Sequence, residues 1–467
     1  MKGCPIMNKF QRILPGLVLC YMCSLLFTSP ICLSAKEEAP QASIDRAEIP
    51  NHHIFYRNDK RAPLTKIEIV FLGAGRNQEQ PSQNGLAVTV SKLIWEAAKK
   101  HGYIDQLAML GAELDIFADA TSLTISVYTL SRNCSKTIKI VHTLIDNLAF
   151  SESDLKEMKK REANNYQNYL QGNISTLMIN FALSQTIKIK KLRSLKTLKN
   201  LSLENIKQYY DQLLKTDIVF FKVVSNLDST EVAKLLHPII KERQTGGFVH
   251  SLAHSATDHH SGPSAFVFKN YSHLKNVFCH WLIPCGSIYG EDYIPTMISS
   301  ILGDGDQGLL HQYFREELGL VYGPSCEVKL AEGVLFLNIH ADPQIHNSEE
   351  LIVKMSDFIR ELPDNPRFWK ALKELRESGN ITYDRGQLTP QKSLDSEVNR
   401  AIYNTPIRKG GYDSVTDAEV RAFLEKFFVP QNMIMIFVGP QDRIIDILNK
   451  HLPDVDIRVH NVKELIE

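Results

Sequence analysis

The chain has 467 residues, 43% of them hydrophobic, and its 53 Lys and Arg residues balance its 53 Asp and Glu residues. This length is sufficient for two to four domains with sizeable cores. The balanced charge argues against a nucleic-acid-binding protein and against a strongly acidic surface, because each would require an excess of one sign.

The first 35 residues have the pattern of a secretory signal peptide. Basic residues precede an apolar stretch at 13–27, and Leu33-Ser34-Ala35 is an acceptable cleavage site. The apolar stretch is short for a bilayer and contains a Pro-Gly pair, so a cleaved signal is favoured over an uncleaved membrane anchor. We therefore expect a periplasmic or secreted mature protein without a membrane segment.

Four cysteines remain after this segment: Cys134, Cys279, Cys285 and Cys326. They are too few for a disulfide scaffold. Cys279 and Cys285 lie on one predicted strand, too far apart to bond with each other. Either of them could reach Cys326 on a neighbouring strand, and the sequence leaves both pairings open.

The rest of the chain repeats one order of elements at a nearly constant offset of about 210 residues. Strand patterns, glycine-containing turns and helix caps recur in the same sequence in both copies. The matching segments are 67–72 with 277–283, 122–130 with 333–341, Ser135 with Ser348, and Ser202 with Thr416.

This repeat predicts two homologous α+β lobes, at about 48–245 and 265–460. Each lobe is expected to be an antiparallel β-sheet with helices packed on one side. The residues between them, 246–264, are polar and rich in His, Ser and Gly, which is typical of a linker. Two lobes joined in this way could close around a ligand like a clamshell.

The stretch at 301–325, ILGDGDQGLLHQYFREELGLVYGPS, places a guanidinium and a phenol close together. Apolar residues at helical spacing predict a helix ending at Gly319, with Arg315 in its last turn and Tyr322 on an extended segment beyond it. The two side chains could bind a peptide through its carbonyl or carboxylate oxygens. On these residues alone, the simpler interpretation is an Arg that favours the helix dipole and a Tyr in the core.

The order R-E-x-x-G-L-x-Y after an L-G-x-G turn resembles the C-terminal lobe of the M16 (insulinase/pitrilysin-like) metallopeptidases. In that family the residues matching Arg315 and Tyr322 bind substrate near a zinc ion. The GAGRNQEQ segment at 73–80 and Gly85-Leu86-Ala87 in the first lobe are also similar to the family. The resemblance covers essentially the whole mature chain and implies one half of an M16 clamshell.

In the M16 family, His-x-x-Glu-His follows the Gly-Leu-Ala segment, binds zinc and supplies the general base. The three chemical positions of that motif here hold Val88, Ser91 and Lys92. Valine has no lone pair, serine is a poor base without an activating partner, and lysine is a cation at neutral pH. Because the motif does not occur elsewhere in the sequence, we expect no catalytic zinc in this chain.

The resemblance also implies a third zinc ligand on a later helix, and Glu162 is the closest candidate. A solvated glutamate among lysines is the simpler interpretation. The alternative hypothesis is that Lys92 takes the place of the metal and pairs with Glu162. That hypothesis would be wrong if the two side chains were further apart than one bridging water allows.

Some M16 enzymes divide their work between two chains, one with the zinc motif and one with the Arg/Tyr pair. The resemblance therefore implies a non-catalytic, substrate-binding subunit of a heterodimeric zinc peptidase. Zinc would be held by an M16 paralogue that carries His-x-x-Glu-His, and the substrate would be a peptide. A stand-alone pseudopeptidase that binds peptides or serves as a scaffold is the main alternative. A structural core subunit of a respiratory complex is a third, disfavoured by the signal peptide and by Arg315 and Tyr322.

Overall fold

The structure, a computed structural model, describes residues 47–49, 52–171, 174–187, 194–216, 219–241, 262–269, 275–287, 293–331, 334–387, 389–403 and 411–465. The predicted signal peptide at 1–35 lies outside the described residues, as does nearly all of the predicted linker at 246–264. Within the described ranges, no helix is long and apolar enough to span a membrane.

The first lobe is built on one mixed sheet. Its described strands are β1 (Ala47–Ile49), β2 (His52–Asn58), β3 (Leu64–Leu72), β4 (Glu113–Ala118), β5 (Ser122–Leu130) and β6 (Val219–Ser225). They pair in the order β1-β2-β6-β3-β5-β4. All neighbours are antiparallel except β2 and β6, which are parallel. A run of helices rather than a hairpin precedes β6, which lets this strand enter the sheet between β2 and β3.

The second lobe repeats this arrangement. Its described strands are β7 (Ser264–Lys269), β8 (Phe278–Ser287), β9 (Ser325–Ala331), β10 (Val334–Ala341), β11 (Ile434–Val438) and β12 (Asp456–Asn461). They pair in the order β12-β7-β11-β8-β10-β9. The pairs β7–β11 and β7–β12 are parallel and the others are antiparallel. The prediction of two similar α+β lobes is confirmed, but the sheets are mixed and not purely antiparallel.

Helices of each lobe pack on one face of its sheet. Those between β3 and β7 are α1 (Leu86–Lys100), α2 (Tyr103–Met109), α3 (Cys134–Asp146), α4 (Glu152–Gln171), α5 (Ser175–Thr186), α6 (Leu195–Asn200), α7 (Leu203–Lys215) and α8 (Ser229–Lys241). Those after β8 are α9 (Tyr293–Gly303), α10 (Ser348–Glu361), α11 (Pro366–Gln387), α12 (Pro390–Tyr403), α13 (Asp417–Phe427) and α14 (Gln441–His451). A π-helix, His311–Glu317, precedes β9.

Two of the four predicted helix caps are confirmed. Ser202 and Thr416 each accept a hydrogen bond from the backbone N–H three residues on, in capping boxes that begin α7 and α13. The predicted caps Ser135 and Ser348 are wrong, because α3 begins at Cys134 and α10 begins at Ser348 itself. Short 3-10 turns precede both helices and lead the backbone into them without a side-chain cap.

One helix from each lobe packs on the opposite face of the other lobe's sheet. Met178 and Leu183 of α5 are buried with Phe266 of the second sheet. Leu394 of α12 is buried with Phe55 of the first sheet. The expectation of helices on one side only is therefore incomplete. A sheet that is apolar on both faces needs cover on both, and the exchanged helices supply the second cover.

Ion pairs hold α12 on the first sheet. Arg57 contacts Glu397 with 3.5 Å between Nη2 and Oε2, and Lys222 Nζ lies 2.5 Å from Asp395 Oδ1 and 2.5 Å from Glu68 Oε2. Burial on its own would raise the pKa of Glu68. Hydrogen bonds from Lys222 and Lys66 outweigh burial, so this pKa is lowered and the carboxylate stays charged.

The order of the second sheet answers the cysteine question. Strand β10 lies between β8, which carries Cys279 and Cys285, and β9, which carries Cys326. Strands two positions apart are separated by roughly 10 Å, beyond the reach of a disulfide. The four cysteines within the described ranges are buried and free. Neither pairing that the sequence left open is formed.

The packing of α12 across the lobes predicts the effect of truncating Leu394, which is 0% exposed. Leu394→Ala should lower the free energy of unfolding by about 2–5 kcal/mol, because it removes buried methyl groups and leaves a cavity. Lys392→Ala, at an exposed position of the same helix, is the matched control and should change stability by less than about 0.5 kcal/mol. Urea unfolding measures both. Equal effects of the two changes would contradict the described packing of α12.

His280, in β8, predicts a loss of stability in acid. Its Nδ1 lies 3.0 Å from Asn338 Oδ1 and its ring stacks on His340; burial and then His340 lower its pKa from the ordinary 6.5 to about 4. The unfolded chain therefore takes up this proton at higher pH than the folded chain does. Up to about 3 kcal/mol of stability should be lost as pH falls from about 6.5 to about 4.

The measurement is urea unfolding across that pH range. His280→Gln, which keeps a donor for Asn338 but does not titrate, should show a shallower decline than the unmodified protein. His346→Gln, at an exposed position, is the control and should follow the unmodified protein. A slope that His280→Gln leaves unchanged would assign the acid sensitivity to other groups.

Candidate functional site

The segment before α1 caps this helix. Gly85 precedes the helix at φ +94°, a conformation that favours glycine. The carboxylate of Glu79 accepts hydrogen bonds from the backbone N–H groups of Gly85 at 2.7 Å and Ala87 at 2.6 Å. A negative charge at the N-terminus of a helix satisfies free donors and favours the helix dipole. The GAGRNQEQ segment thus positions α1, the helix that carries the three degenerate motif positions.

The three motif positions lie on α1 opposite α4. Val88 is partly exposed, and the buried Ser91 donates a hydrogen bond from Oγ to the Val88 carbonyl at 2.9 Å. Lys92 Nζ lies 2.6 Å from Glu162 Oε1, and Asn165 donates to the same oxygen at 3.2 Å. Glu162 is only 4% exposed. The hypothesis that Lys92 pairs with Glu162 is therefore confirmed, and the interpretation of Glu162 as a solvated glutamate is wrong.

Further ion pairs join the same two helices. Arg161 lies 2.7 Å from Glu96, and Lys100 lies 2.8 Å from Asp154. At the motif positions the donor set is one carboxylate, and the Lys92 ammonium already neutralises it. This set does not fit a zinc ion, which takes several N, S or O ligands. In the part of the chain that the structure describes, no group of three His, Cys, Asp or Glu residues could hold a metal.

The second part of the candidate site is the end of the π-helix. Leu310 and Phe314 are fully buried and anchor it to the core of the second lobe. Gly319 has φ +64° and donates from its N–H to the Arg315 carbonyl at 3.1 Å. The prediction that Gly319 ends the helix, with Arg315 in the last turn, is confirmed. Its π rather than α geometry was not predicted.

Arg315 and Tyr322 lie side by side at the surface. The Arg315 guanidinium carbon is 4.4 Å from the centre of the Tyr322 ring, the geometry of a cation–π contact. Tyr322 is 81% exposed, so the interpretation of this residue as part of the core is wrong. A large aromatic ring in water, stacked on a guanidinium, is an available surface for a ligand.

Three residues that the sequence did not single out surround Arg315. His311 Nε2 lies 2.8 Å from Arg315 Nη1, and Asp306 Oδ1 lies 3.2 Å from the same histidine nitrogen. Glu316 Oε1 lies 3.4 Å from Arg315 Nε. The spacing of four residues between His311 and Arg315 places them on one helix face. That spacing is too common to have identified His311 in advance.

The guanidinium is thus held from two sides while part of it remains open. The Arg315 side chain is 34% exposed, and its Nη2 group points to neither His311 nor Glu316 in the contacts above. A planar guanidinium with free N–H donors binds a peptide carbonyl or a carboxylate well. The phenol beside it can donate or accept one further hydrogen bond. The chemistry that this pair can perform is therefore peptide binding and orientation.

Comparisons with known proteins agree with this fold and site. Residues 200–368 match the family model described as Peptidase M16 inactive domain. No curated protein matches the chain. The crystal structure of a peptidase M16 inactive domain from Pseudomonas fluorescens is similar, at 16% identity and TM-score 0.72 over 85% of this chain and 98% of that one.

Two proteases also share the fold. The crystal structure of a protease from Helicobacter pylori matches at 11% identity and TM-score 0.71, over 85% of this chain and all of that one. The periplasmic protease PqqL from Escherichia coli matches at 11% identity and TM-score 0.65, over 87% of this chain and 50% of that one. Together with the family model, which includes Arg315 and Tyr322, these likenesses confirm the predicted relationship to the M16 peptidases.

The Lys92–Glu162 pair predicts a measurable contribution to stability. Lys92→Met should lower the free energy of unfolding by about 1–3 kcal/mol, because it leaves the charge of a buried carboxylate without this cation. Lys100→Met removes an exposed ion pair from the same helix and should cost less than about 1 kcal/mol. Urea unfolding of both variants decides the matter. A smaller loss for Lys92→Met than for Lys100→Met would show that the buried pair does not stabilise the joint between α1 and α4.

Proposed function

We propose that this protein is the non-catalytic, substrate-binding subunit of a zinc-dependent M16 peptidase. The observation that carries the proposal is the contrast between the two parts of the site. Arg315 and Tyr322 are stacked and open to a ligand, whereas Lys92 and Glu162 form an ion pair where a peptidase of this family would hold zinc. The match to the inactive domain of the family supports a non-catalytic role.

The partner would be an M16 paralogue that carries His-x-x-Glu-His and supplies both zinc and general base. The E. coli PqqL protein is about twice as long as the matching region, so a chain of this size corresponds to half of that protease. A second chain would provide the other half. The signal-peptide pattern at 1–35 favours assembly in the periplasm or outside the cell.

Binding would use main-chain contacts as well as the Arg/Tyr pair. Strands β4 and β9 are edges of their sheets, and an extended peptide can add to such an edge as a further strand. Strand β9 begins at Ser325, only three residues after Tyr322. Arg315 and Tyr322 would then orient the peptide and help to stabilise the tetrahedral oxyanion that forms beside the partner's zinc.

The test is reconstitution with the candidate partner. The isolated chain should not hydrolyse a fluorogenic peptide, the partner should do so on mixing, and Arg315→Ala or Tyr322→Phe should reduce the activity of the pair by about 10²–10³-fold for the Arg and less for the Tyr. Arg132→Ala, at an exposed position in the first lobe, is the control and should leave activity unchanged.

Two outcomes would contradict the proposal. Full activity of both variants in the pair would remove Arg315 and Tyr322 from substrate binding. A tightly bound zinc with hydrolytic activity in the isolated chain, measured by elemental analysis and by inhibition with a chelator, would overturn the non-catalytic role. Peptide binding by the chain with no activity alongside any paralogue would instead favour the stand-alone peptide-binding protein.

A further inference from the structure

His311 is a buried histidine whose hydrogen-bonding state is determined by its neighbour. The residue is 7% exposed, and its Nε2 lies 2.8 Å from Arg315 Nη1. A guanidinium is always protonated and can only donate hydrogen bonds. The Nε2 atom must therefore be the acceptor, so the neutral ring carries its hydrogen on Nδ1.

The rest of the surroundings do not suit this neutral ring. The buried Nδ1 has no hydrogen-bond partner among the described residues, and the nearest acidic oxygen, Glu316 Oε1, is 3.9 Å away. On the other side, Asp306 Oδ1 lies 3.2 Å from Nε2, where two acceptors face each other. One proton added to Nε2 would turn that contact into a charge-assisted hydrogen bond from the imidazolium to Asp306.

We propose that His311 is a pH-responsive positioning residue for Arg315. This inference rests on the proposed role of Arg315 in peptide binding. With a neutral ring, Nε2 holds the guanidinium over Tyr322. With a charged ring, Nε2 donates to Asp306, and the guanidinium loses its acceptor and faces a second cation. Peptide affinity should then fall as pH falls.

The charged groups around the ring allow this exchange. Asp306 approaches from the 3-10 turn before the π-helix, and Arg315 and Glu316 belong to the π-helix itself. Tyr322 is the further titratable group, at the far side of the guanidinium. The buried Leu310 and Phe314 on the same helix are apolar and anchor it in the core, so the helix itself need not move when the ring changes charge. Histidine is the side chain that changes charge between about pH 5 and 8.

The first experiment measures binding of a rhodamine-labelled casein digest to the mature chain by fluorescence anisotropy, from pH 8 to pH 5.5. Affinity of the unmodified protein should fall about tenfold across this range, as expected when one charge-assisted hydrogen bond is lost. His311→Gln supplies an acceptor that does not titrate, so its affinity should stay near the pH 8 value throughout. His311→Phe supplies none and should bind weakly at every pH.

His101→Gln is the matched control, because His101 is an exposed histidine in the first lobe. It should keep the pH profile of the unmodified protein. A purely structural role of His311 would lower affinity in both His311 variants without changing the slope. If His311→Gln retains the full slope, the inference is wrong.

The second experiment does not depend on a peptide. Nitrogen NMR of ¹⁵N-histidine-labelled protein at pH 8 should show the His311 ring protonated at Nδ1, with its signals assigned by their absence in His311→Gln. A ring protonated at Nε2 would overturn the inference. If the digest binds at no pH, the proposed function fails, and the NMR result still decides whether His311 accepts from Arg315.

Discussion

A carboxylate buried between two helices has to be matched by a cation, and in the first lobe this requirement falls on Glu162. Lys92 meets it from α1 at 2.6 Å, in the position where the M16 resemblance places a zinc ligand. The flanking pairs between α1 and α4 extend the same contact along both helices. The joint that a metal ion would make in a zinc peptidase is thus made here by side chains alone, and the lobe that would perform the chemistry becomes a support.

The second lobe uses its polar groups differently. Its π-helix is fixed by buried apolar residues and ends at Gly319, which leaves Arg315 and Tyr322 at the surface in mutual contact. His311 and Glu316 hold two edges of the guanidinium, so it is ordered before any ligand arrives. Ordering a long side chain in advance reduces the entropy that binding must overcome. One lobe has given up metal chemistry while the other keeps a prepared contact surface, and this combination favours a subunit that holds a peptide for its partner.

The two lobes do not depend on the linker alone to stay together. Helix α5 covers the second sheet and α12 covers the first, so each lobe completes the other's core. Buried ion pairs of Arg57 and Lys222 fix α12 on the sheet as well. Separating the lobes would expose apolar surface on both sheets at once. A peptide bound at Arg315 would therefore meet a two-lobed body that behaves as a unit.

Much of this could be predicted from the sequence. The repeated order of elements indicated two α+β lobes, Gly319 marked the end of a helix, and Ser202 and Thr416 marked the start of two others, because turn and cap chemistry acts within a few residues. The Arg/Tyr spacing indicated a shared surface for the same reason. The Lys92–Glu162 pair required the family resemblance as well, since 70 residues separate its members.

Only the tertiary structure decided the rest. The parallel strand pairs, the exchange of α5 and α12, the separation of Cys285 from Cys326 by β10, and the place of His311 beside Asp306 depend on which distant segments meet. Hydrophobic periodicity shows that a strand or helix has a buried face, but many partners could cover that face equally well. Periodicity is a local property of the chain, whereas the choice of partner depends on the packing of the whole fold.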